Sequence, residues 1–284
     1  MMCMEKFIPP EHPNRLGRTN SPKIVIVHYM PNFHESKSAT HFAEYYARPF
    51  MERTNLKYET DGRKFRLESY HKIVDEHTCV STIPLTETAY GTTKPELPID
   101  NGYKGYTPTV ALYHYDIEKY AINYMICINE NWDTANDNAA KVIAMDMQTL
   151  GIKPTSIVRH YDITGRLCPT PFIEEPSNWY KFLESVKNYW LEMYLIKYPL
   201  NRNKTGLIKD KAELIDVFGL RKSITLAETQ EVFILGCSLA GSCVVNYRNG
   251  IYMTNESYVF YKENETTEIV KEPEEMKRKF GFWR

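Results

Sequence analysis

Among the eight histidines and six cysteines of this 284-residue chain, His28, His160 and Cys168 are the candidates to hold a transition metal. Zinc accepts imidazole nitrogen and thiolate sulfur in a roughly tetrahedral shell, and a hydrolytic site keeps its fourth position for water, so two histidines and a cysteine suffice. His160 and Cys168 flank a turn containing Gly165, and the stretch HYDITGRLCP is long enough to fold back on itself. Spacing alone is a weak pattern. An isolated histidine usually packs or hydrogen-bonds, and a lone cysteine usually behaves as a small buried hydrophobe.

The elements that must position these residues are visible as hydrophobic patterns. KIVIV (23–27) reads as a buried strand that delivers His28 at its end, and a short strand over 156–159 leads into His160. Residues 1–20 read as an irregular arm. Ser36 is placed to cap a helix whose Ala39, Phe42, Ala43, Tyr46 and Phe50 share a face. Residues 69–74 and 79–83 flank an acidic turn at Asp75 and Glu76, as a hairpin does. Residues 91–109 form a long loop of the kind that borders a binding groove. YAINYMICIN, from Tyr120, reads as another buried strand. A helix from Thr134 follows, with Ala139, Val142, Ile143, Met147 and Leu150 on one face and Gly151 at its end. This order predicts an α/β fold with a mixed central sheet flanked by helices.

A last helix over 178–198 carries Trp179, Phe182, Tyr189, Trp190 and Tyr194, and the polar NRNKTG after it reads as a linker. Beyond that, short β-prone runs alternate with Gly and Asn turns, which predicts a small all-β module, SH3-like or similar. The expected organisation is a catalytic domain with its arm over 1–180, helix and linker over 181–203, and a small β-rich domain over 204–284.

Bulk composition removes several function classes. A formal net charge of −1 supplies no long-range field for nucleic acid. No apolar run is long enough to insert in a membrane, and MMCMEKFIPPEHPNRLGR has prolines and charges where a secretory signal needs an apolar core. The six cysteines show no disulfide-like framework, so thiols in a reducing compartment are expected.

HYDITGRLCP, together with KIVIVHYMPN and the strand–helix order between them, resembles the type 2 amidase family, which includes phage endolysins and peptidoglycan recognition proteins. The resemblance covers about residues 20 to 180. It implies zinc held by His28, His160 and Cys168, and hydrolysis of the amide joining N-acetylmuramic acid to L-alanine in bacterial peptidoglycan. It implies for Arg166, where many relatives carry Lys, a role in stabilising the oxyanion. A surface salt bridge is the plainer role for such a residue. Asp162 is expected either to brace His160 and the metal loop or to make local turn bonds.

The chain also departs from that family. Many relatives carry a Glu where AINYMIC has Met125, and a thioether takes no proton. One subgroup uses a Tyr before a His instead; Ser69-Tyr70-His71 matches it and makes Tyr70 a candidate for orienting water or stabilising the oxyanion, beside the alternative of a packed aromatic. Glu130 is a further candidate for the missing acid, against a solvated turn carboxylate. Ala89-Tyr90-Gly91 replaces an A-W-H-like groove element. The function expected is that of a phage endolysin kept in the host cytoplasm until lysis; the alternatives are a peptidoglycan-binding protein without catalysis and a phage tail component. For residues 204–284 the expectation is cell-wall binding through exposed Tyr247, Tyr252, Tyr258 and Tyr261, or a homo-oligomer formed through this domain. The terminal EPEEMKRKFGFWR is expected to dock back through Phe280, Phe282 and Trp283.

Overall fold

The computed structural model describes residues 3–31, 38–48, 68–91, 117–128 and 131–261. Ser36, Phe50, nearly all of the 91–109 loop, Glu130 and the terminal segment with Phe280, Phe282 and Trp283 lie outside them. The chain divides into two compact units, Met1–Lys187 and Asn188–Arg284.

The first unit is built on a six-stranded mixed sheet. Its strands are β1 (Cys3–Glu5), β3 (Ile24–Pro31), β4 (Lys72–Val74), β5 (Cys79–Ser81), β7 (Ala121–Ile128) and β8 (Ile157–Arg159), in the order β1-β5-β4-β7-β3-β8. β2 (Arg15–Thr19) and β6 (Glu87–Ala89) form a separate antiparallel pair. Within the six-stranded sheet the hairpin pair β4/β5 is antiparallel and the other neighbours are parallel. β7 lies at the centre, buried along nearly its whole length, which is why it reads as a continuous apolar run rather than an alternating one.

Helices cover both faces. On one, α1 (Ala39–Ala47) packs Phe42, Ala43 and Tyr46 against Tyr70, Ile73, Val80 and Met125. Its N-cap is Ser38, whose hydroxyl accepts from the His41 N–H, two residues later than Ser36. On the other, α2 (Trp132–Leu150) begins at the Asn131 cap and ends at Gly151, whose φ of 69° is the left-handed conformation that glycine adopts at least cost. A polar cluster pins α2 to the sheet: buried Asp146 pairs with Lys72 Nζ at 2.6 Å and also accepts from the Tyr124 hydroxyl.

Two expectations are corrected. The arm is not wholly irregular: β1 joins the six-stranded sheet parallel to β5, and β2 pairs with β6 in the separate two-stranded sheet. Nor are all the cysteines thiols. Cys3 and Cys79 stand directly opposite each other on β1 and β5 and are joined as a disulfide, and Cys237 is joined to Cys243 across an antiparallel pair. Only the sheet register brings the first pair, 76 residues apart, together.

After β8 come α3 (His160–Thr164), α4 (Thr170–Glu174) and the long α5 (Pro176–Leu195). The division between units falls within α5. Its last turns pack in the second unit, where Trp190 lies 5.9 Å from Phe218 and Tyr194 is bonded to Met253.

The second unit is all-β. Strands β9 (Lys204–Ile208), β10 (Glu213–Asp216), β11 (Ile224–Thr225), β12 (Gln230–Cys237), β13 (Ser242–Tyr247), β14 (Gly250–Asn255) and β15 (Val259–Tyr261) form one antiparallel sheet in the order β11-β10-β14-β13-β12-β9-β15. Tyr247 and Tyr252 are buried in its core with Ile208, Leu214, Ile234 and Val245, so they are not the exposed aromatics expected from sequence. The alternation that makes β14 a strand turns Tyr252 inward. Tyr258 and Phe260 remain exposed. No described helix is long and apolar enough to cross a membrane.

Candidate metal centre

Two of the three proposed ligands are set by adjacent parallel strands, and the third by the turn after α3. β3 and β8 are in register with Val27 opposite Arg159, so the residues that follow, His28 and His160, stand side by side with ring centroids 4.5 Å apart. Both are buried. His160 opens α3, which ends at Gly165 with φ 74°, and the chain then doubles back: the Tyr161 N–H donates to the Cys168 carbonyl at 2.7 Å. That turn returns Cys168 to β3, where the Tyr29 N–H donates to its sulfur at 3.5 Å. One nitrogen of each histidine and the Cys168 sulfur thus lie within 4.8 Å of one another.

The donor set fits a metal on an observation besides proximity. His28 Nε2 is engaged with Asn123 Oδ1 at 2.9 Å, whereas His28 Nδ1 is buried with no hydrogen-bond partner among the described residues. Burying a bare polar atom is costly, and a cation in the cluster would satisfy it. Burial pushes the imidazole down to about 4, an effect opposed by the Asn123 bond and increased by the charge of Arg166, so the ring is neutral and ready to ligate near pH 7.

The remaining sequence candidates fall around this cluster. Arg166 lies in the returning turn, close enough for its charge to act on His28. Tyr70 packs edge-on against the His28 ring at 5.0 Å and donates its hydroxyl to Glu68. Burial, with the charge of Glu68 next, pushes this phenol well above its usual range. Asp162 caps α3 by accepting from the Arg159 N–H at 2.8 Å and holds the Arg159 guanidinium at 2.7 Å, so it organises the turn leading from His160 to Cys168. Met125 faces the same side of the sheet as His28 and is wholly buried, its sulfur accepting from the Tyr46 hydroxyl at 3.9 Å.

Two residues of this neighbourhood escaped the sequence reading. Glu68 places a carboxylate on Tyr70, and its signal was only its position two residues before that tyrosine, a spacing that puts both on one side of an extended chain. Asn123 had a plainer signal, being the single amide in an otherwise apolar strand.

Two histidines and a cysteine gathered over a mixed α/β sheet form a donor set of the kind that can hold one zinc ion with a fourth position left open. The chain is 28 % identical over 124 residues to a probable N-acetylmuramoyl-L-alanine amidase of Bacillus licheniformis, and 25 % identical over 126 residues to the N-acetylmuramoyl-L-alanine amidase CwlL of the same organism. Each match covers 43 % of this chain and 32 % of the relative, so the chain spans about a third of those proteins' length. Across that segment it is similar to these N-acetylmuramoyl-L-alanine amidases. Among solved structures it is similar to the catalytic domain of XlyA, with 20 % identity, a TM-score of 0.49, and coverage of 66 % of this chain and 99 % of that one. No protein-family model matches the chain.

Proposed function

We propose that the first unit is a zinc-dependent N-acetylmuramoyl-L-alanine amidase, which hydrolyses the amide between the lactyl group of N-acetylmuramic acid and L-alanine in bacterial peptidoglycan. The observation that carries this reading is the convergence of His28, His160 and Cys168, three ligands of the kinds that leave a fourth position for water. Zinc held there would lower the pKa of a coordinated water and polarise the scissile carbonyl.

The chain's own residues supply the rest. Arg166 offers a fixed positive charge beside the cluster; it stabilises negative charge developing on the amide oxygen and gives up no proton. Tyr70, whose ring packs on His28, keeps its proton through the neutral range and donates it to a Glu68 oxygen, which brings a carboxylate to a face where Met125 provides none. Asp162, through Arg159, keeps the loop closed so that His160 and Cys168 meet.

In this reading the protein is a phage endolysin, held in the host cytoplasm until lysis, and the second unit holds it on the cell wall or pairs it with another copy through exposed strand edges. The alternative is a peptidoglycan-binding protein without catalysis. The buried thioether of Met125 at the position of the family's acid favours it. Purified peptidoglycan treated with wild type, Cys168→Ser and chelator-treated protein separates the two. New amino-terminal alanine, lost on substitution or chelation, is expected. Walls that pellet the metal-loaded protein yet yield no new alanine terminus would leave the binding protein as the answer.

A further inference from the structure

Strand β7 is interrupted by one amide. Asn123 is wholly buried at the centre of the sheet, where an amide is costly unless its groups are paired. Its backbone is fully used: the N–H donates to His71 Nδ1 and the carbonyl accepts from the His71 N–H, both at 2.9 Å. The side chain has a single hydrogen bond, from Oδ1 to His28 Nε2 at 2.9 Å, while Nδ2 has no partner among the described residues. Fold stability alone favours an apolar residue here, so the bond to His28 is what the amide contributes.

Gly91 makes room for it. A Cβ at that position would come within 2.3 Å of the Asn123 Cγ and Oδ1, so any side chain at residue 91 would push the amide from its place. The amide is therefore confined from one side and aimed at His28 from β7, two residues before the Met125 that stands opposite His28.

The direction of this bond decides the chemistry of the ring. A neutral imidazole carries one proton, and whichever nitrogen holds it cannot bind a metal. With Oδ1 toward Nε2, the proton belongs on Nε2 and Nδ1 keeps its lone pair. With the amide reversed, Nδ2 would donate to Nε2 and the proton would move to Nδ1. The structure has the first arrangement, and Nδ1 is the nitrogen left without a hydrogen bond.

We infer that Asn123 is a positioning residue that fixes His28 as its Nε2–H tautomer and thereby selects Nδ1 as the metal-binding atom. The inference rests on the reading of His28, His160 and Cys168 as ligands. It concerns metal affinity and ring state, both measurable without substrate.

Long-range nitrogen NMR of the metal-free full chain reports the His28 tautomer, and competition with a chromogenic chelator reports zinc affinity. Wild type is expected to be wholly Nε2–H. Asn123→Ala is expected to mix tautomers and weaken zinc binding by about 10- to 100-fold, the usual effect of losing a ligand's hydrogen-bond partner. Asn123→Asp keeps an acceptor and should restore both, whereas Gly91→Ala, which displaces the amide without removing it, should weaken zinc in the same direction as Asn123→Ala. A role confined to packing would lower the melting temperature and leave the tautomer alone. A folded Asn123→Ala with the wild-type tautomer and zinc affinity overturns the inference; if that variant does not fold, the same result in Gly91→Ala overturns it. His28→Ala and Cys168→Ser separate this failure from the larger one: zinc binding retained in both removes the ligand assignment and the inference together, while zinc lost in both leaves the assignment standing.

Discussion

Acidification should unfold the first unit partly through His71, a buried histidine outside the proposed ligand set. Its ring is wholly enclosed, with Nε2 donating to the Glu87 carbonyl at 2.8 Å and Nδ1 accepting from the Asn123 N–H at 2.9 Å. A proton on Nδ1 would face that N–H directly. Burial holds the folded pKa down to about 4, against an ordinary 6.5 in the unfolded chain. Because the folded value is the lower one, the unfolded state takes up the proton first. The stability is fully present above about pH 6.5 and is lost as the pH falls toward 4. At roughly 1.36 kcal/mol per pH unit the loss reaches about 3 kcal/mol at pH 4, a large share of the roughly 5–15 kcal/mol that holds a domain together. Urea unfolding between pH 7.5 and 4, on chelator-treated wild type and His71→Gln, measures it. His28 titrates in both proteins and cancels in the difference, so wild type should lose about 3 kcal/mol more than the variant over that range. Parallel pH profiles for the two proteins would refute the reasoning.

Two further perturbations test other parts of the account. Tyr70→Phe removes the hydroxyl between Glu68 and the cluster; turnover on peptidoglycan should fall by about 100-fold, the order found for losing one oxyanion donor, with zinc content unchanged, and full activity would remove Tyr70 from the mechanism. Asp146→Leu leaves the Lys72 ammonium buried without its carboxylate and should cost about 3–5 kcal/mol, whereas the double substitution with Lys72→Met recovers much of it. Calorimetry showing the single variant melting with wild type would mean that the pair contributes nothing to α2 docking.

The parts of the fold legible in sequence were those whose pattern is local. KIVIV is found as a strand, Gly151 stops a helix, and HYDITGRLCP turns back on itself, although β3 runs on past His28 to Pro31 instead of ending there. What was not legible depends on distant partners. β1 is three residues long with two of them exposed, so no hydrophobic period marks it; only its backbone pairing with β5 makes it a strand. The Cys3–Cys79 bond shares that cause. Tyr247 and Tyr252 read as surface residues in sequence because tyrosine tolerates either side of a sheet, and the choice is made by which face of β13 and β14 meets the core. At the site, residue types and one motif pointed to the candidate ligands, but the neighbours Asn123, bonded to His28, and Glu68, bonded to Tyr70, required the register of β3 against β7 and the approach of residues 68–70 to that face.

The ligands also differ in how they find one another. His160 and Cys168 belong to one short turn, so an unfolded chain already holds them close enough to share an ion, whereas His28 lies on the order of 130 residues away and joins only when β3 and β8 pair. An ion captured early by the local pair would gain its third protein ligand as the parallel strands register, and its release would require those strands to part. With an ion held as proposed, its exchange would be coupled to opening of the sheet, and a labelled ion would time the separation of β3 from β8.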